Sequence, residues 1–170
     1  MKPYVIGITG ASAQELAVRS LELLLDNDRD VHLIISKGAY KVWQAEKGVN
    51  IPRDSDSPEK FWRDKFNINK GKLRCHDFND NSACIASGSY PTKAMVIVPC
   101  SMGTVGRIAS GISSNLIERC ADVHLKEHRP LLLSPRESPL SLVHLRNLTS
   151  LSEAGARIVP PIPSWYNKPT

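Results

Sequence analysis

The chain has 170 residues, 41% of them hydrophobic and 23% charged, with a formal net charge of +5. That length suits one domain with a sizeable core, and no run of about 18 apolar residues offers a membrane-spanning helix. Lysines and arginines are scattered rather than blocked, which argues against a nucleic-acid partner and suits a site for anionic small molecules.

The chain enters a strand almost at once, without the charged and apolar regions of a signal peptide, so a cytoplasmic location is expected. Cys75, Cys84, Cys100 and Cys120 form no C-x-x-C pair, and they read as reduced thiols. YVIGIT (Tyr4 to Thr9) predicts a buried strand, and ELAVRSLELLL predicts a helix entered from Ser12 as its N-cap. VHLIIS (Val31 to Ser36) predicts the second strand, and KGAYKVWQAEKG a helix ended by Gly48. Residues 50–72 are polar, with Pro and Asp/Ser turn signals, and read as a surface excursion with a short helix near Glu59 to Phe66.

LRCHDF follows as a third strand, and ACIASGSYPTK as a loop. AMVIVPC (Ala94 to Cys100) is a buried strand running into SMGTVGRIASG, a loop and helix start. A helix in SSNLIERCADVHLKE, a strand in PLLLSP, a helix in SLVHLRNLTSLSEAG and a strand in ARIVPP complete the chain. About six strands alternating with helices predict an α/β fold. The expectation is a single Rossmann-like three-layer α/β/α domain over residues 1–170, with a mainly parallel doubly wound sheet. Ligands of such folds sit beyond the carboxyl ends of the strands.

Those ends carry Gly10, Ala11 and Ser12, then Ser36, then Cys100, Ser101 and Met102, then Arg136 and Glu137. Small and hydroxyl residues before helix N-termini favour an anion, although such residues also serve as plain turns and caps. The spacing of Gly7 and Gly10 is not the dinucleotide pattern G-x-G-x-x-G, and no P-loop pattern is present. Cys100 is a nucleophile candidate or a small buried turn residue. Arg136 and Glu137 make either a structural ion pair or a partly buried acid–base group. Arg119 and Lys126, seven apart, share a helix face; such a cation pair is either simply solvated or, beside the crevice, suited to a second anion. His124 and His128 lack a third metal ligand and read as solvated.

The segments GITGAS, IISKGA, IASGS, VPCSM, SNLIERCADVHLKEHRPLLLSPRESPLSLVHL and GARIVPPIPSWY together resemble the UbiX-type flavin prenyltransferases, within the homo-oligomeric flavin-containing Cys decarboxylase-like fold group. The likeness covers nearly the whole chain. It implies transfer of a dimethylallyl group from dimethylallyl phosphate to N5 and C6 of reduced FMN without a metal. The product, prenylated FMN, serves a UbiD-type decarboxylase in routes such as quinone biosynthesis. It also implies flavin contacts at Gly10, Ala11, Ser12, Ser36, Cys100, Ser101, Met102, Gly103 and Arg136. Prenyl-phosphate contacts fall on Arg119, Lys126 and Tyr166, with Trp165 as a further wall. Catalytic roles fall on Ser12, Glu46 and Glu137. A homo-oligomer is implied, a dodecamer built from trimers.

The sequence departs from the family at Ala13 and Leu16 in the first turn and at Gly103 in the variable place of the second. Relatives continue past the position of Thr170 with a helix whose Arg helps hold the substrate phosphate, and that helix is expected to be absent. An FMN-binding carrier that has lost prenyl transfer is the alternative reading. The Cys decarboxylase activity of related proteins is disfavoured by Pro99-Cys100-Ser101-Met102.

Overall fold

A computed structural model describes residues 1–53, 57–67 and 70–162. Its strands are β1 (Tyr4–Ile8), β2 (Val31–Ile35), β3 (Leu73–His76), β4 (Ala94–Cys100), β5 (Leu131–Pro135) and β6 (Arg157–Ile158). Its helices are α1 (Glu15–Asp26), α2 (Lys37–Lys47), α3 (Ser57–Phe66), α4 (Met102–Ala109), α5 (Leu116–Lys126) and α6 (Leu142–Glu153). The strands form one sheet in the order β3-β2-β1-β4-β5-β6, and every pairing is parallel.

Parallel strands need crossovers, and the helices that make them cover both faces. Side chains alternate between those faces. Val5, Met95 and Ile97 pack with Val105, Leu116, Ile117 and Leu151 from α4, α5 and α6. Ile6, Ile8 and Val98 pack with Leu21, Leu25, Trp43 and Trp62 from α1, α2 and α3. The three-layer doubly wound α/β domain expected from the alternation is therefore the observed one. The chain winds from β1 toward β3 on one side and from β4 toward β6 on the other. That switch between β1 and β4 opens a crevice at their carboxyl ends.

Two local expectations change. Helix α1 starts at Glu15 with Gln14 at its N-cap, so Ser12 is not the capping residue. Gln14 is 1% exposed, and its side-chain amide donates to Thr9 O at 3.0 Å and Ala11 O at 2.7 Å. The amide stitches the turn shut, and the helix begins only after it.

The 50–72 segment is more than a surface excursion. Its Trp62 is fully buried, with its ring centroid 5.5 Å from that of Trp43 and 5.1 Å from that of Phe61. Glu59 Oε1 accepts the Cys75 N–H at 2.8 Å, so α3 also guards the exposed edge of β3.

Candidate functional site

The crevice is built where β1 and β4 end. Thr9 Oγ1 donates to Pro99 O at 2.9 Å and accepts the Ser101 N–H at 2.7 Å, which locks the two strand ends together. Beyond Thr9 the chain turns through Gly10, Ala11 and Ser12. Ala13 takes φ 76°, the left-handed region that glycine favours. Gly10 then meets α2 backbone to backbone: a Cβ on it would stand 3.1 Å from both Cα and C of Gly38.

Two helices aim their N-termini into this space. Ser36 caps α2 by accepting the Ala39 N–H at 3.1 Å, and Ser101 caps α4 by accepting the Thr104 N–H at 3.4 Å. The Lys37, Gly38, Met102 and Gly103 N–H groups have no acceptor among the described residues. The cavity between them holds about 280 Å³ and is lined by Thr9, Gly10, Ser36, Gly38, Ser101 and Arg107, among others. Free N–H groups, two positive helix ends and two cations, Lys37 and Arg107, make an anion cradle.

Cys100 is fully buried in β4, and burial pushes its thiol up to about 12. A thiol so protonated is no nucleophile, so Cys100 is the small packing residue of the two candidate readings. All four cysteines are free. The Arg136 N–H donates to Cys100 O at 3.2 Å, which holds the end of β5 beside the crevice. The Arg136 and Glu137 side chains are both exposed, not partly buried. No ion pair joins them; the Glu137 carboxylate instead accepts its neighbour Ser138 N–H at 3.1 Å.

Two other expected residues lie away from this cradle. Glu46 is in the last turn of α2, roughly 14 Å along the helix axis from Lys37. Lys126 ends α5, roughly 15 Å from Leu116 at the crevice end. Beyond it the chain returns to the amino end of β5, where Met95 N–H meets Pro130 O at 2.9 Å.

Arg119 and Lys126 do share a face of α5, and it turns toward residues 86–88. Arg119 Nε donates to Ala86 O at 3.0 Å, and a Cβ on Gly88 would lie 2.8 Å from Lys126 Nζ. Arg119 also pairs with Asp122 at 2.7 Å, and Lys126 pairs with Glu127. The chain thus carries the cradle at one end of the sheet and the Lys126 cluster at the other. Tyr166 and Trp165 lie outside the described residues.

Sequence reasoning missed Thr9, Thr104, Arg107 and Glu118. Thr104 and Arg107 were legible as an i, i+3 pair behind the Ser101 cap. The link from Arg107 to Glu118 joins different helices, and no local pattern reveals it. His124 is also corrected: it is fully buried rather than solvated, bonded to Thr92 Oγ1 at 3.0 Å and Cys120 O at 2.7 Å. His128 lies beyond α5 at φ 52° and is exposed. Among the described residues no group of three or more His, Cys, Asp and Glu side chains is placed to hold a metal. No helix among them is long and apolar enough to cross a membrane.

The geometry has counterparts in known proteins. The family model Flavoprotein matches residues 1–166. The flavin prenyltransferase UbiX of Synechocystis sp. is 51% identical over 169 residues, covering 99% of this chain and 82% of that protein. A crystal structure of AnUbiX in complex with FMN and dimethylallyl pyrophosphate superposes with a TM-score of 0.84 at 37% identity, over 99% of this chain and 82% of that one. A dodecameric FMN-dependent UbiX-like decarboxylase from Escherichia coli O157:H7 gives 0.82 at 36% identity, over 100% and 84%. With an anion cradle at the strand switch and likeness of this extent along the chain, the protein belongs to the flavoprotein family, among its UbiX-type flavin prenyltransferases.

Proposed function

We propose that this chain joins a dimethylallyl group from a dimethylallyl phosphate to reduced FMN, and that the resulting prenylated FMN passes to a UbiD-type decarboxylase. The observation that carries this reading is the crevice, where two capped helix N-termini, with the free Lys37 and Gly38 N–H groups, stand beside Arg107. That set fits the phosphate of FMN, because a dianion gains from donors that are oriented before it arrives. Gly10 and Gly38 leave the backbone bare for close approach. Ser36 and the Cys100-to-Gly103 turn would hold the phosphate end; Gly10, Ala11, Ser12 and Arg136 would line the rest of the molecule. Reduced FMN supplies the N5 and C6 positions that the isoprenoid joins.

This chain's own residues would serve the departure of phosphate from the allylic carbon. Lys126 and Arg119 are cations suited to the negative charge that develops on the leaving group. Glu46 is the candidate to protonate it, and Glu137 to take the proton lost from the ring. Ser12, in the first turn, would stand next to the reacting positions. Tyr166 would offer a π face to the allylic cation.

The separation of the cradle from Glu46 and Lys126 along α2 and α5 favours a site completed by other copies of the chain. An exposed apolar surface accords with such an assembly: Leu142, Val143 and Val159 are 61%, 63% and 50% exposed beside the Arg136 end of the sheet. The dodecameric state of the E. coli relative points the same way. Free thiols accord with a cytoplasmic setting.

Anaerobic incubation with reduced FMN and dimethylallyl phosphate, followed by mass measurement of the flavin, tests the reading. A flavin heavier by one prenyl group is expected. Bound flavin of unchanged mass in an assembled sample would favour an FMN carrier. A protomer with a complete cradle but a distant Lys126 would itself behave as such a carrier if it stayed alone.

A further inference from the structure

Helix α4 carries a cation whose surroundings exceed what an ordinary surface ion pair needs. Arg107 Nε donates to Glu118 of α5, whose side chain is fully buried while that of Arg107 is 44% exposed. The other carboxylate oxygen of Glu118 accepts the Ser114 N–H at 2.9 Å and the Ser114 hydroxyl at 2.6 Å. Burial raises the Glu118 pKa, but the bonds from Arg107 and Ser114 outweigh it and hold the carboxyl below its usual range. Glu118 is therefore a fixed anion that anchors one edge of the guanidinium.

The other edge faces the crevice. Arg107 Nη2 reaches Thr104 Oγ1 at 3.4 Å, and that hydroxyl meets the capping Ser101 Oγ at 3.1 Å. Nη1 has no hydrogen-bond partner among the described residues. Position 103 keeps that edge clear: a Cβ on Gly103 would lie 3.4 Å from Nη1. Arg107 lines the same cavity as Gly10, Ser36 and Ser101. A guanidinium held by one edge and open at the other is pre-organised for two-point binding of a phosphate oxyanion.

We infer that Arg107 is a cofactor-phosphate ligand of the crevice, and that buried Glu118 is its positioning residue. The inference rests on the flavin reading above and deepens it, naming the group that distinguishes FMN from riboflavin. An ion pair that only clamps α4 to α5 would leave that distinction untouched.

The test is equilibrium titration of oxidised FMN and of riboflavin by flavin fluorescence, on wild type and two variants. Arg107→Lys keeps the charge but loses the fork. Arg107→Met with Glu118→Gln removes both charges together, so that no unpaired buried carboxylate unfolds the protein. Thermal melts confirm that each is folded. For the double variant the FMN Kd is expected to rise about tenfold or more while the riboflavin Kd moves less than about twofold, with Arg107→Lys in between. Wild type that prefers FMN, with variants that keep the same preference, would overturn this inference alone. Wild type that binds neither flavin would overturn the flavin reading and this inference with it.

Discussion

Gly10 and Gly38 pack backbone against backbone: a Cβ on Gly38 would stand 3.2 Å from Gly10 Cα, and one on Gly10 3.1 Å from Gly38 Cα. The contact fixes the distance between the first turn and the N-terminus of α2. Gly10→Ala must push one segment off the other, since neither neighbour is a flexible side chain. The expected cost is about 1–3 kcal/mol in urea unfolding, with weaker FMN binding because the cradle widens. An unchanged FMN Kd would show that the cradle does not depend on this contact.

Ala13 occupies a glycine-like conformation at φ 76°, so the turn keeps its shape and absorbs strain instead of shifting. Left-handed backbone costs an L-residue about 1–2 kcal/mol, and the freedom glycine regains when unfolded returns about 0.4–1 kcal/mol of that. Ala13→Gly is therefore expected to stabilise the protein by up to about 1 kcal/mol and to leave FMN affinity unchanged. A destabilised variant in chemical denaturation contradicts the strain argument.

His32 is 5% exposed. Its Nδ1 meets His76 Nε2 at 2.6 Å, and its Nε2 meets the Tyr90 hydroxyl at 3.0 Å. Burial, then the charges of His76 and Arg74, lower its pKa to about 4 against the raising effect of Asp30; burial and Arg74 also lower that of His76. A base whose pKa falls on folding binds more protons when unfolded. Its stabilising contribution is whole above pH 6.5 and is lost as pH falls toward about 4. A loss on the order of 2–3 kcal/mol between pH 7 and 4 is expected from this pair. His32→Gln should flatten that part of the stability profile; a profile as steep as wild type would move the titration elsewhere.

Cys100 and Cys120 are fully buried, and burial pushes each thiol up to about 12. Neither should be alkylated by iodoacetamide at pH 8 in the native state, and both should react in denaturant. Mass analysis of the labelled peptides reads this directly, and native labelling of Cys100 would restore it as a reactive group.

Lys126 stands far from the cradle of its own protomer, so a mixed assembly should rescue what separate variants lose. On the proposed site, Lys126→Met would damage the donor side and Gly10→Ala the flavin side, and each alone should prenylate poorly. Co-assembled, an intact cradle of one protomer can meet an intact Lys126 of another, and prenylated flavin should reappear. A mixture no more active than the average of the two would assign Lys126 to the cradle of its own chain.

The layered fold was legible in the residues because each element carries a local signature. AMVIVPC is apolar on both faces, as a central parallel strand must be, and its bounds, Ala94–Cys100, match the observed strand. Gly48 ends α2 in the left-handed conformation that the reading of its helix required. Ser36 and Ser101 announced two helix starts at strand ends, and both serve as caps.

What the tertiary structure alone decided depends on groups remote in sequence. Thr9 binds Pro99 and Ser101 some ninety residues away, and Trp62 buries a segment whose composition reads as surface. Glu118, one helical turn past a cap, reads as an ordinary first-turn acid until packing buries it under Arg107. The opposite directions of Gly10 and Lys126 likewise follow from the antiparallel run of helix against strand, and linear spacing does not contain them. Local sequence sets φ, caps and periodicity through neighbours a few residues apart. Burial, charge pairing and the separation of Gly10 from Lys126 arise only when distant segments share a low-dielectric interior.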